Sequence, residues 1–230
     1  MAIKGYLGID AGTQGLSVVF TDEDLKVLGT GEASYEMIPN LEEGCYEQLP
    51  ADWDEALSNA IRDLRNQMDN DFEVLAIGIS GQMHGEVLAD ENGTALGAAR
   101  LWCDARNEAE ENELTEALGV KMPKRITSAR WLWTLRNRPE LAQRTRHITT
   151  PAGWLAFQLT GEWLLGIGDA AGMFPIDQET LDYDLGLLKK YDSVAGHSTP
   201  LQTLLPQVRC AGQSGGVLNA QGAARLGLPE

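Results

Sequence analysis

The chain opens on a strand, a glycine turn and a second strand, and this arrangement restricts its fold more than any other feature. Tyr6-Leu-Gly-Ile9 is a short apolar run of the kind that forms a buried strand. Asp10 stands at its end, and Gly12-Thr13-Gln14-Gly15 supplies a turn. Leu16-Ser-Val-Val-Phe20 reads as a second strand, Asp22-Glu-Asp24 as a polar turn, and residues 26–31 as a third strand. Successive strands with short turns predict an antiparallel meander. Pro50 then opens a helix. Trp53, Ala56, Leu57, Ala60, Ile61, Leu64 and Met68 carry the spacing of one buried helical face. Val74-Leu-Ala-Ile-Gly-Ile79 follows as a buried strand. A helix that feeds a strand after a meander predicts an α/β fold, a mixed sheet flanked by helices. Beyond Trp102 the pattern is largely helical, over residues 105–118, 128–136, 153–159, 185–191 and 217–226. Neither a linker composition nor a repeat marks a domain boundary.

Three clusters could carry chemistry. In the first, a strand delivers Asp10 to its end and the chain turns sharply on glycines. Glycines allow backbone N–H groups close to a phosphate, Thr13 adds a hydroxyl, and Asp10 suits a hydrated Mg²⁺. No Gly-Lys-Ser/Thr follows, and the turn leads into a strand, so neither a P-loop nor a dinucleotide fingerprint is present. A tight hairpin with a capping Asp would use the same residues. The second cluster is Ser80-Gly-Gln-Met-His-Gly85, directly after the 74–79 strand. Gln82 and His84 offer donors and acceptors for hydroxyls, against the plainer reading of a histidine satisfied within a turn. The third is Trp102-Cys-Asp-Ala-Arg106, a pocket-facing carboxylate and guanidinium or an N-cap with a surface Arg. Asp169, in Gly168-Asp-Ala-Ala-Gly172, is a weaker candidate for a loop near a ligand. The acidic run 108–113 reads as a solvated helix face. His147 and His197 belong to no motif and read as structural.

Charge narrows the partners. With 18 Lys and Arg against 34 Asp and Glu the net charge is −16, so a broad basic face for nucleic acid or an anionic membrane is not available. The three cysteines, Cys45, Cys103 and Cys210, form no CxxC pair, which points to a reducing, cytoplasmic setting. No segment approaches the ~18 apolar residues of a membrane helix.

Four segments stand in a telling order: Gly8-Ile-Asp-Ala-Gly-Thr13, Tyr46-Glu-Gln-Leu-Pro-Ala-Asp-Trp53, Ser80 to Gly85, and Leu101-Trp-Cys-Asp-Ala-Arg106. Shorter pieces continue the series, namely Ala129-Arg130-Trp-Leu-Trp133, Leu159-Thr-Gly-Glu162 and Asp169-Ala-Ala-Gly172. In this order they resemble the N-terminal lobe of the FGGY family of carbohydrate kinases, within the actin–hexokinase–Hsp70 superfamily. Its xylulokinases especially share the Gly81-Gln-Met-His-Gly85 run.

The resemblance implies a ribonuclease H-like mixed sheet and ATP-dependent phosphorylation of a ketose, D-xylulose first. The alternatives are another pentulose, hexulose or sugar acid, or a sugar sensor without catalysis. It implies Gly12, Thr13 and Gln14 along the ATP phosphates and Asp10 on Mg²⁺. Gln82, Met83 and His84 would line the sugar site, and Asp104 would bind a sugar hydroxyl. A small-molecule sugar is the implied partner, and a homodimer is compatible. Two departures stand out. Tyr46 replaces the usual Trp, and Gly153 replaces an Asp, which should loosen a structural contact. Leu226-Gly-Leu-Pro-Glu230 resembles the start of a "GLPxGTPV" stretch that precedes the family's catalytic Asp. The resemblance therefore implies that residues 1–230 are the N-terminal lobe, that the base and the C-terminal lobe lie beyond Glu230, and that this lobe alone is inactive.

Overall fold

The meander forms as its alternating pattern predicts. β1 (Ile3–Ala11), β2 (Gly15–Asp22) and β3 (Val27–Ser34) pair antiparallel in sequence order. Successive side chains on a strand point to opposite faces. Leu7, Ile9, Leu16, Val18 and Phe20 are buried on one face, while Tyr6, Asp10, Ser17 and Thr30 are exposed on the other. The computed structural model describes residues 2–68 and 71–228. Pro229 and Glu230, the end of the "GLPxGTPV"-like piece, lie outside the described residues.

The short strand β4 (Glu47–Gln48) leads into helix α1 (Pro50–Gln67). Proline is favoured in the first turn because its missing N–H would have no partner there. The buried stripe of α1 is Trp53, Ala56, Leu57, Ala60, Ile61 and Leu64, as the spacing predicts. The helix packs on β2 and β3, and glycines set how closely it approaches. A Cβ on Gly31 would lie 2.0 Å from the Ala60 carbonyl oxygen. β5 (Phe72–Gly81) then runs parallel to β1, giving a mixed sheet in the order β3-β2-β1-β5.

β5 departs from expectation in one respect. Its apolar run predicts a buried strand, yet none of its residues is buried and Leu75 is 43% exposed. The strand stands at the edge of the described sheet. Period and composition show that a run is apolar; they do not supply the neighbour that would cover it.

The remainder is mostly helical. β6 (Val87–Ala89) and β7 (Ala99–Arg100) are followed by α2 (Glu108–Leu118), α3 (Thr127–Asn137) and α4 (Pro139–Arg144). β8 (His147–Thr149), α5 (Pro151–Thr160), β9 (Leu164–Gly166), α6 (Ile167–Ala170), α7 (Leu185–Ala195) and α8 (Ala220–Leu226) complete the elements used below. Two hydrophobic cores result. One joins the sheet, α1, α5 and α8 through Trp53, Leu57, Leu64, Trp154, Leu155 and Leu226. The other joins α2, α3, α4 and α7 through Leu114, Trp131, Leu132, Ala142, Phe174 and Tyr191. The acidic run of α2 is not wholly solvated. Glu110 and Glu111 are buried, and Glu110 lies 3.6 Å from Arg136.

α5 shows how local sequence fixes a helix against the sheet. The Thr150 hydroxyl accepts the Gly153 N–H, Pro151 opens the first turn, and Gly161 ends the helix in the left-handed region at φ 80°. At Gly153 a Cβ would meet Thr149 Oγ1 at 2.1 Å and Leu165 Cδ2 at 2.6 Å, so a side chain there would require those two side chains to turn aside. No helix among the described residues is long and apolar enough to cross a membrane.

Candidate functional site

The turn between β1 and β2 is held from below. Its Gly12 N–H donates to the Gly15 carbonyl at 2.9 Å. The Tyr35 hydroxyl donates to the Gly12 carbonyl at 2.6 Å, Gln48 Nε2 to the Thr13 carbonyl at 2.8 Å, and the Tyr35 N–H to the Gln14 carbonyl at 3.2 Å. Trp102 Nε1 donates to Thr13 Oγ1 at 3.2 Å. The carbonyls of Gly12, Thr13 and Gln14 are thus all engaged by protein donors. Burial, then the nearby Asp10 charge, pushes the Tyr35 phenol far above its usual range, so it remains a neutral donor.

Gln48 is the hub beneath the site. Its side chain is fully buried, and its Oε1 accepts from Trp53 Nε1 at 3.1 Å and from Gln82 Nε2 at 2.8 Å. One amide therefore joins the β1–β2 turn to the turn that follows β5. The Gln82 N–H also donates to the Ala11 carbonyl at 2.7 Å. These turns are neighbours because β1 and β5 are parallel and end together, Ala11 opposite Gly81.

In the second turn Met83 is 51% exposed. His84 has φ 59°, a left-handed conformation unusual outside glycine, and several donors hold it there. Arg130 Nη1 and Thr127 Oγ1 each donate to the His84 carbonyl at 3.1 Å. His84 Nδ1 lies 2.9 Å from the Gly172 carbonyl. A carbonyl can only accept, so Nδ1 carries the proton and Nε2 is the acceptor of the neutral ring. Arg130 is wholly buried and donates also to the carbonyls of Arg125 and, at 2.9 Å, Trp102. Burial and then the neighbouring Arg100 bring its pKa down to about 10. Arg100 itself is paired with Glu86, at 2.8 Å, with both side chains buried.

Asp104 does not face an opening. Its side chain is fully enclosed, accepting from the Tyr46 N–H at 3.0 Å and from Arg106 Nη2 at 2.6 Å. Arg106 in turn reaches Glu47 at 2.5 Å. Burial opposes ionisation of Asp104, yet the hydrogen bonds from Arg106 and Tyr46 outweigh it and hold the carboxyl below its usual range. Asp104 is not the N-cap of α2 either, since that position is Asn107.

Two openings flank these turns. A groove of about 520 Å³ on the exposed sheet face is lined by Asp10, Ser17, Thr30, Glu32 and Ser80 among others. A cleft of about 1010 Å³ runs along β5 and is bounded by Ser80, Gly81, Met83, Ala152 and Asp169.

The sequence compares with known proteins as its motifs suggest. Residues 5–230 match the N-terminal domain of the FGGY family of carbohydrate kinases. The chain belongs to that family. It is 32% identical to a xylulose kinase of Haemophilus influenzae over 98% of this chain and 48% of the relative, and 30% identical to one of Escherichia coli over 97% and 50%. The chain thus spans about half the length of the curated relatives it matches. Among solved structures, a xylulose kinase from Rhodospirillum rubrum superposes with a TM-score of 0.83 at 20% identity, covering 97% of this chain and 46% of that one. That likeness shows the fold, which is the actin–hexokinase–Hsp70 type.

Within this FGGY lobe the sequence-predicted residues separate into two groups. Asp10 and Met83 reach the openings, the turn of Gly12, Thr13 and Gln14 lies beside them, and His84 is half-buried next to Met83. Gln82, 7% exposed, and Asp104 are turned inward, Gln82 onto Gln48 beneath the turns and Asp104 onto Tyr46 and Arg106. Tyr35, Gln48 and Arg130 were not legible as site residues, because each acts through a main-chain carbonyl distant in sequence. Gln48 and Arg130 carried a signal, lying inside the 46–53 and 129–133 pieces, and Tyr35 carried none. The residues present suit a magnesium-bound nucleotide. Among the described residues no group of three or more His, Cys, Asp or Glu forms a metal cage, and Mg²⁺ needs only one or two carboxylates plus waters, as Asp10 and Glu32 in the groove offer.

Proposed function

We propose that this chain is the N-terminal lobe of an ATP-dependent sugar kinase that transfers the γ-phosphoryl group to a primary hydroxyl of a ketose, D-xylulose first. The observation that carries the reading is the Gln48 bridge, which ties the Thr13 carbonyl to Gln82 and so fixes two glycine-rich turns side by side. Phosphoryl transfer depends on holding two substrates in register and on stabilising the charge between them. With the turn's carbonyls and the Gly12 N–H engaged within the protein, the amides of Thr13 and Gln14 are the groups left to run along the phosphates, with Gly12 keeping the turn low and the Thr13 hydroxyl beside them. Asp10 would hold the hydrated Mg²⁺, which supplies charge neutralisation when bound. Met83 and His84 would line the sugar, His84 Nε2 accepting a hydroxyl. Gln82 acts by positioning these turns, and Asp104 by holding Tyr46 and Arg106, rather than by touching the sugar. In the same reading the general base and the second wall of the site come from the C-terminal lobe that the relatives' greater length accommodates.

The test is ADP release by the complete gene product across D-xylulose, L-xylulose, D-ribulose, L-ribulose, glycerol and gluconate. A clear preference for D-xylulose is expected. Preference for another polyol would keep the mechanism and move specificity outside the 80–85 turn, whereas silence on the whole panel would sink the reading. Residues 1–230 alone are expected to show no turnover with any of these sugars.

A further inference from the structure

We infer that Asp169 is a second hydroxyl-binding group of the sugar pocket, taking one hydroxyl of a polyol on its Oδ1 beside His84. The inference rests on the sugar-kinase reading above and names a residue that reading does not use. Asp169 lies in the wall of the cleft with Gly81 and Met83. Its Oδ2 takes the hydroxyl of Thr150 at 2.5 Å, and that hydroxyl is itself fixed by accepting the Gly153 N–H at the start of α5. Among the described residues no cation pairs with Asp169 and nothing donates to Oδ1. A half-buried carboxylate with one oxygen anchored and the other open is not a structural ion pair.

The turn that carries Asp169 also holds the His84 ring. The Gly172 N–H donates to the Asp169 carbonyl at 2.9 Å, and the Gly172 carbonyl receives His84 Nδ1 at 2.9 Å. A Cβ on Gly172 would sit 2.4 Å from that nitrogen and 3.1 Å from the Asp169 carbonyl oxygen, so a glycine here lets the imidazole lie against the backbone of the turn that carries Asp169. Next to it, a Cβ on Gly168 would meet nothing within 4 Å, which leaves open space on the cleft side. The group that the cleft wall offers a ligand is thus an acceptor, Asp169 Oδ1. An acceptor without a protein donor calls for a ligand that brings one, and a hydroxyl of a polyol supplies it. A hydrogen bond from a hydroxyl to a carboxylate is charge-assisted and among the stronger kinds.

The test uses the complete gene product with D-xylulose and its 1-, 3- and 4-deoxy analogues, comparing wild type with Asp169→Asn and Asp169→Ala. The expected result is a rise in KM for D-xylulose of roughly tenfold or more with KM for ATP unchanged. That rise should vanish for the one analogue lacking the hydroxyl that Asp169 holds. Equal losses on the parent sugar and every analogue, in variants that melt like wild type, would overturn the assignment while leaving the kinase reading intact. If Asp169→Ala lowers the melting temperature, Asp169→Asn, which retains an acceptor for Thr150, decides the matter by the same comparison. A wild-type protein that phosphorylates none of the panel sugars overturns the kinase reading, and this inference with it.

Discussion

The two sides of the central sheet carry similar strands and differ in what packs against them. On the covered side, Leu7, Ile9, Val18 and Phe20 are buried under α1 and α5, and α1 comes so near that Gly31 has no room for a Cβ. On the open side, Asp10, Ser17 and Ser80 line a groove, and a Cβ on Gly78 would meet nothing within 4 Å. Glycine thus has opposite meanings in one sheet. Where a helix must approach, its absence of a side chain is a packing requirement. Where the site lies, it keeps the surface low for a ligand.

The largest test of that contrast is Gly31→Val. Forcing a branched side chain against the Ala60 carbonyl is expected to cost about 3 kcal/mol, the upper end for overpacking. Thermal or urea unfolding would show it, and an unchanged midpoint would mean that α1 does not lie where the packing puts it. Gln48→Leu comes next. It removes the partner of the Thr13 carbonyl and of two buried N–H groups, with an expected loss of about 2 kcal/mol. If only the apolar bulk of the side chain mattered, leucine would be tolerated.

Asp54 tests the covered side through pH. It sits on α1, accepts Trp154 Nε1 from α5 at 3.2 Å and lies 3.6 Å from Arg225 of α8. Burial raises its carboxyl from the usual 3.8 to about 6, against the opposing pull of Arg225 and the Trp154 hydrogen bond. Between those values the folded protein holds a proton that the unfolded chain has released. This group's contribution to stability is therefore fully present below about pH 4, falls as pH rises to about 6, and is then flat. Asp54→Asn should remove that part of the slope in urea midpoints measured between pH 4.5 and 7. An identical slope in the variant would assign the pH dependence to other groups.

The smallest effect is expected on the open side. Gly78→Ala should change stability by less than about 0.5 kcal/mol. A loss comparable to that of Gly31→Val would show that this face is packed after all, and would erase the contrast.

Much of the architecture was legible in the residues. The meander, α1 with its buried stripe and five of the later helices follow from the patterning of apolar and polar residues, which is a local property of the chain. The turn at Gly12 to Gly15 and the 80–85 turn were visible because glycines and polar residues interrupt apolar runs there. What could not be read was direction. Asp104 and Gln82 are as polar as Asp10, and only the fold turns the first two inward, onto Arg106 and Gln48. The exposure of β5 escaped for a related reason, since an apolar run states a preference for burial and not whether a neighbour meets it.

The sequence by itself determined the local elements and the positions of the glycine turns, because these depend on residues close together along the chain, and the family, through the order in which its motifs follow one another. The tertiary structure decided which polar groups meet ligand and which meet the protein. It set Tyr35, Gln48 and Arg130 beneath carbonyls far away in sequence, and it set Asp169 beside His84. Those contacts span many residues, and a buried hydrogen bond forms only when folding brings donor and acceptor to the same place and removes the water that would otherwise satisfy both.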